Sequence, residues 1–183
     1  MFWSRPDLQV LFVCTANICR SPLAEALLRH RLRAMGLARK VQVGSAGTRA
    51  GQRGLRPDRR VEALAAEAGV SLGRIRSRML TPGMIRNSDY LLVMDRTQLE
   101  DVNRLSADLD VSGPEPAQLL GSFIPGIADV TSAPEIPDPY FGDLQGFRHV
   151  HAQIDAAVTG LLTCIESRLA QSSGDPQGLS YRR

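Results

Sequence analysis

Apolar runs rich in branched residues alternate along this chain with segments of helical period, the pattern of a parallel α/β sheet. Leu8 to Val13 is apolar almost throughout, as expected of a strand buried on both faces. A helix should follow from Ser21, with the serine as N-cap and Pro22 at the first helical position, and run through Ala24, Leu28, Leu32 and Met35 to Gly36. Lys40 to Val43 reads as the second strand. Arg60 to Ala68 reads as the second helix, because Val61, Leu64 and Ala68 share one face and Gly69 stands just beyond. Asp89 to Asp95 is a third buried strand with polar ends, Gln98 to Arg104 begins another helix, and a weaker strand lies near Gln118 to Leu120. From Gly121 to Gly142 the chain is rich in proline and glycine and has no period, so a long connecting loop is predicted; loops of that length are usually functional or mobile. A last helix spans Leu144 to Leu169, with Phe147, Val150, Ile154, Val158, Leu161 and Ile165 at helical spacing and Cys164 assigned to the core beside them. The expected organisation is one domain over residues 1–170 and a disordered tail over 171–183. No internal repeat is visible.

Composition narrows the classes. At 183 residues the chain can bury one good core but not two ordinary domains. Its 43% hydrophobic and 22% charged residues are those of a soluble globular protein, and the longest apolar runs, Val10 to Cys14 and Tyr90 to Met94, are far too short to span a bilayer, so no membrane insertion is expected. Met1 to Asp7 shows neither a basic n-region with an apolar h-region nor a small-residue cleavage site, and a cytoplasmic protein is expected. Three cysteines cannot build a stapled secreted framework, and their spacing matches no zinc site. The net charge of +3 is small, yet Arg49, Arg53, Arg56, Arg59 and Arg60 crowd one stretch. Such a run is ordinarily a solvated face, the alternative being a rim that attracts acidic or phosphorylated partners. Without interleaved aromatics it is not a nucleic-acid surface.

The candidate chemistry lies in Cys14-Thr15-Ala16-Asn17-Ile18-Cys19-Arg20-Ser21, which fits C-x5-R-S. In an arginine-rich chain that pattern alone is weak, and its context makes it specific. The segment leaves a buried strand and enters a helix, where inward N–H groups and the positive end of the dipole favour an anion. Open parallel sheets bind ligands at this edge. A helix N-terminus and a neighbouring guanidinium favour the reactive thiolate form of a cysteine. Arg20 offers a planar fork for two phosphate oxygens, which lysine cannot reproduce. The Ser21 hydroxyl can donate to a thiolate and ease its departure, and Asn17 tolerates left-handed backbone and can lock the loop through its amide.

Val13 to Pro22 closely resembles the phosphate loop of the low-molecular-weight protein tyrosine phosphatases, and two further segments match in order: Ser45-Ala46-Gly47-Thr48 after the second strand and Asp138-Pro139-Tyr140 in the late loop. The resemblance covers about Leu8 to Leu169. It implies a single α/β domain with a four-stranded parallel sheet of order 2-1-3-4 flanked by helices on both faces. It also implies hydrolysis of phosphotyrosine in proteins through a cysteinyl-phosphate, without metal or other cofactor. On the matching residues, Cys14 becomes the nucleophile, Arg20 the phosphate clamp and Asp138 the general acid that protonates the leaving phenol and then activates water. Thr15, Ala16, Asn17, Ile18, Cys19 and Ser21 bind phosphate or support the loop, Ser45 supports Asn17, and Tyr140 stacks on the substrate ring. The partner would be a tyrosine-phosphorylated protein. Glu135-Ile136-Pro137 resembles bacterial members that oppose a tyrosine kinase.

Several positions depart from the family pattern. Ala16 stands where many members have glycine, Ile75 where many carry histidine, Gly51 where an aromatic often forms a second pocket wall, and Phe141 where a second tyrosine is frequent. These changes bear on peptide preference. Cys19 is either a packing residue or a partner that captures oxidised Cys14 as a disulfide. Rival readings are an arsenate reductase, which needs a later cysteine pair that this chain lacks, a protein arginine phosphatase, and a non-catalytic phosphotyrosine-binding module. Ile18 and Tyr140 favour a flat aromatic substrate over phosphoarginine.

Overall fold

In the computed structural model, which describes residues 6–51, 53–107 and 117–174, the strand Leu8–Cys14 (β1) occupies the middle of a parallel sheet. Val41–Gly47 (β2) pairs along its whole length on one side, with Leu8 opposite Val41 and Cys14 opposite Gly47. Tyr90–Val93 (β3) pairs on the other side and carries the two-residue Gln118–Leu119 (β4) at the edge, giving the order β2-β1-β3-β4.

The pleat sends successive β1 side chains to opposite faces, and both faces are apolar because both are covered. Val10, Phe12 and Cys14 join a core with the helices Arg20–Ala34 (α1), Arg59–Glu67 (α2) and Leu144–Gly174. Leu11 and Val13 join a second core with Ile85 of Pro82–Arg86 (α3) and Val102 of Arg96–Ala107 (α4). The last helix, Leu144–Gly174, is α5. Its stripe Phe147, Val150, Ile154, Val158, Leu161 and Ile165 is buried against the first core.

Some expected details differ. Helix α1 begins at Arg20 with Cys19 at its N-cap position and no side-chain cap, so Ser21 does not cap it; its hydroxyl is engaged with Cys14 instead. Strand β2 continues through Ser45 and Ala46 to Gly47, beyond the expected end at Val43. Helix α3 was not anticipated, since five residues show no period; its local signals are Thr81, whose hydroxyl accepts the Met84 N–H, and Pro82 in the first turn. The long loop holds two short 3₁₀ turns, Leu120–Phe123 and Val130–Ser132. Cys164 is exposed rather than in the core, because it lies one residue off the Leu161–Ile165 stripe. Helix α5 runs through residues 171–174, so the expected tail does not begin at Gln171; the rest of that tail, 175–183, lies outside the described residues. No helix among the described residues is long and apolar enough to cross a membrane.

Candidate active site

Strand β1 stops at Cys14 and α1 starts at Arg20, so five residues must turn the chain from sheet to helix. Asn17 makes that turn possible with φ 58°, the one positive φ of a non-glycine residue among those described. Ala16, where glycine was the commoner choice, has no positive φ and so accepts a Cβ. The Asn17 amide locks the turn from within: Nδ2 donates to Ser21 Oγ and Ser45 Oγ, both at 2.9 Å, and Oδ1 accepts the Arg78 N–H at 3.0 Å. The sulfur of Cys14 receives the Asn17 N–H at 3.3 Å and lies 3.0 Å from Ser21 Oγ. The Asn17 N–H donates to the atom that would carry the charge of a thiolate, and the Ser21 hydroxyl, which also lies 3.3 Å from the Ala46 carbonyl, can turn its proton to that sulfur.

Behind this layer, the Ser45 hydroxyl donates to Glu25 Oε2 at 2.5 Å, and Arg78 Nε donates to the Ser45 carbonyl at 2.7 Å. Burial pushes the Glu25 carboxyl above its usual range against the pull of Arg29, whose Nη1 stands 2.9 Å from Oε1. Gly47 passes close beneath the loop, where an added Cβ would lie 2.5 Å from the Thr15 carbonyl oxygen. Ile75, at the family's frequent histidine position, is buried in the first core.

Arg20 is only 2% exposed, and its fork reaches across the sheet edge. Nη1 donates to Asp95 Oδ2 at 2.8 Å and to the Ile136 carbonyl at 3.0 Å; Nη2 donates to Asp138 Oδ2 at 2.7 Å and Thr15 Oγ1 at 3.3 Å. Gln98 fixes this arrangement by donating to Asp95 Oδ2 at 2.6 Å and to Thr15 Oγ1 at 3.1 Å. A guanidinium so buried needs such partners, because an unpaired charge there would be costly.

Asp138 reaches the site because the Ile136 N–H pairs with the Met94 carbonyl at 2.8 Å, tying the long loop to the end of β3. Its Oδ1 accepts the Tyr140 N–H at 3.1 Å, and its side chain remains 46% exposed. Two neighbouring carboxylates are engaged elsewhere: Glu135 pairs with Arg96 at 2.9 Å, and Asp143 accepts the Gly146 N–H in the first turn of α5. Tyr140 and Phe141 stack edge to face with centroids 5.0 Å apart, and Phe141 is 97% exposed. The Cys19 thiol is buried, and burial first, then Asp58, pushes its pKa up to about 12. Ile18 packs partly buried against the first core.

The structure thus gathers Cys14, Asn17, Ser21 and Ser45 into one hydrogen-bonded cluster and Thr15, Arg20 and Asp138 into a second, the two joined along the chain between Cys14 and Ser21. Sequence reasoning missed Glu25, Asp95, Gln98, Arg78 and Arg60. Asp95 had a signal, a charged residue just past the end of a buried strand, where open sheets place their ligands. Glu25 had a weaker one, a lone acid among apolar helix positions.

The family model for low molecular weight phosphotyrosine protein phosphatase matches residues 9–172. The chain belongs to that family.

A low molecular weight protein-tyrosine-phosphatase of Streptomyces coelicolor is 35% identical over 162 residues, covering 88% of this chain and 95% of the relative. Among solved structures, YfkJ from Bacillus subtilis superposes with a TM-score of 0.78 at 25% identity, covering 90% of this chain and 98% of that one. An arginine phosphatase of drosophila superposes with a TM-score of 0.77 at 33% identity, covering 87% and 98%. A low-molecular-weight phosphatase is a hydrolase, and the members' substrates are phosphoproteins.

Proposed function

We propose that this phosphatase hydrolyses phosphotyrosine in proteins through a phosphorylated Cys14. The observation that carries the reading is the Asp138 carboxylate held 2.7 Å from Nη2 of Arg20, the residue that closes the loop opened by Cys14. An arriving phosphate competes with Asp138 for that nitrogen, which places the carboxyl beside the ester oxygen. The Cys14 thiolate attacks phosphorus, the bond from phosphorus to the phenolic oxygen breaks, and protonated Asp138 gives its proton to that oxygen. Water then attacks phosphorus while Asp138 takes its proton. The S–P bond breaks, inorganic phosphate leaves, and Cys14 returns as thiolate with Ser21 Oγ at 3.0 Å. Inward N–H groups and Arg20 meet the charge that gathers on the phosphoryl oxygens.

Phosphotyrosine is favoured by Tyr140, whose ring follows Asp138 and offers a wall for a flat aromatic, and by the apolar Ile18 on the nucleophile loop. The likeness to an arginine phosphatase supports phosphoarginine as the second reading. A module that only binds phosphotyrosine has no use for an acid beside the nucleophile loop. The partner we infer is a tyrosine-phosphorylated protein, with a bacterial tyrosine kinase as the specific candidate, acting in the cytoplasm. Turnover of one peptide carrying phosphotyrosine or phosphoarginine tests the reading, with Cys14→Ser as control. Release of phosphate from phosphotyrosine that vanishes in Cys14→Ser is expected. Faster release from phosphoarginine would overturn it.

A further inference from the structure

Arg60 belongs by sequence to an arginine-rich stretch that reads as a solvated face, and its geometry is different. Its Nε and Nη2 grip Asp58 at 3.1 and 2.9 Å, while Nη2 also donates to the Tyr140 carbonyl at 3.0 Å and Nη1 to the Gly142 carbonyl at 3.3 Å. One face of the guanidinium lies 4.1 Å from the centroid of the buried Phe147 ring, and the Tyr140 ring lies 5.8 Å away. Asp58 is itself anchored: its N–H donates to the Ile18 carbonyl of the nucleophile loop at 2.9 Å, and its side chain caps α2. A single guanidinium therefore joins the nucleophile loop, through Asp58, to the backbone of the acid loop.

We propose that Arg60 is a positioning residue that fastens the acid loop across the nucleophile loop, setting where Asp138 delivers its proton and where the Tyr140 ring stands. The link to Asp138 is short, because the Tyr140 N–H donates to Asp138 Oδ1 at 3.1 Å, so a shift of the Tyr140 backbone carries the carboxyl with it. Arginine is required for this. Four hydrogen bonds in one plane to a carboxylate and two carbonyls, with the flat face on an aromatic ring, match a guanidinium fork and cannot all be made by an ammonium. A displacement of about 1 Å in such a group can cost on the order of 10²-fold in rate.

The inference rests on the reading of Asp138 as the acid, and the test separates the two. Arg60→Met keeps a long apolar side chain over Phe147 and removes the fork; Arg60→Lys restores charge without the fork. Single-turnover phenol release is measured for phenyl phosphate and 4-nitrophenyl phosphate, alone and with Asp138→Asn, together with amide hydrogen exchange over residues 140–142. Arg60→Met should slow release from phenyl phosphate by about 10-fold or more and from the activated ester much less, with Arg60→Lys between wild type and Arg60→Met. In the Asp138→Asn background it should add nothing on phenyl phosphate, and the 140–142 amides should exchange faster while those of α5 do not change. Equal losses on both esters, or losses additive with Asp138→Asn, would overturn the positioning role. Unchanged exchange in both variants would show that Arg60 does not hold the loop. A wild-type enzyme that releases phenol from neither ester would defeat the phosphatase reading, and the exchange result would still decide the fastening.

Discussion

Gly47 marks the point where the end of β2 runs beneath the nucleophile loop, closer than any side chain allows. A Cβ there would stand 2.5 Å from the Thr15 carbonyl oxygen and 3.1 Å from the Ala16 carbonyl carbon, both backbone atoms. Gly47→Ala should therefore lower stability by about 1–3 kcal/mol and push the loop that bears Cys14. Urea unfolding together with aryl phosphate turnover will measure both effects, and unchanged values in the two assays would show that the loop yields freely. Asp138→Asn acts at the same scale. If Asp138 protonates the leaving oxygen, the variant should slow the first step most for poor leaving groups, by about 10²–10⁴-fold, and least for activated esters. An unchanged dependence on leaving-group acidity would move the acid to another residue. Residues of this site were legible from their own chemistry where their partners are near in sequence, while Ser45 and Asp138, whose partners lie 28 and 118 residues away, were reached only through the family resemblance. Cys14, Asn17, Arg20 and Ser21 fall within one octet, and the left-handed turn at Asn17 follows from its residue type. Asp95 and Gln98 were not, because Arg20 and Thr15 meet them across 75 and 83 residues.

Helix α5 and the 3₁₀ turn Leu120–Phe123 meet closely at Gly160. Alanine in an open helix position is worth about 0.8–1 kcal/mol more than glycine. Here the added Cβ would overlap the Phe123 carbonyl, which is backbone and cannot rotate away. Gly160→Ala should thus lower the thermal midpoint despite its better helix propensity, and a raised midpoint would contradict the packing. Helix α2 depends on Asp58, whose side chain accepts the Arg60 N–H at 2.8 Å. The Arg60 side chain, more than any other cause, holds the Asp58 carboxyl below its ordinary 3.8. A lowered carboxyl contributes stability that is complete above the unfolded value and fades as pH falls through the folded value. The stability gap between wild type and Asp58→Asn should accordingly be widest near neutral pH and close below about pH 3.8. Chemical denaturation across that range will show it; a gap that widens toward acid would reverse the sign. The strongly periodic elements were legible, but α3 was not, for a single turn has no period to read. Of the 3₁₀ turns of the long loop, Leu120–Phe123 lies against Gly160 of α5, whereas Val130–Ser132 is closed locally by Asp129, whose carboxylate accepts the Thr131 N–H at 2.8 Å.

At the scale of the whole molecule, the sheet order places the site where β1 and β3 run side by side and their connections leave for opposite faces. Cys14 ends β1, Asp95 follows β3, and the loop that bears Asp138 is tied to Met94, so one sheet edge presents the residues proposed as nucleophile, clamp and acid. In the proposed mechanism Cys14 and Arg20 provide the nucleophile and the charge, and no step calls for a metal. Chelators should leave the rate unchanged, and loss with EDTA that a divalent ion restores would contradict this chemistry. The central claim is that phosphate passes through Cys14. The most direct measurement is acid quenching of a single turnover of an aryl phosphate, followed by mass spectrometry of the peptide that bears Cys14. The account predicts a transient phosphoryl group on Cys14 that forms with phenol release, decays with the appearance of inorganic phosphate, and is absent in Cys14→Ser. Phenol release with no phosphoryl group on Cys14, or with the group on another side chain, would contradict it.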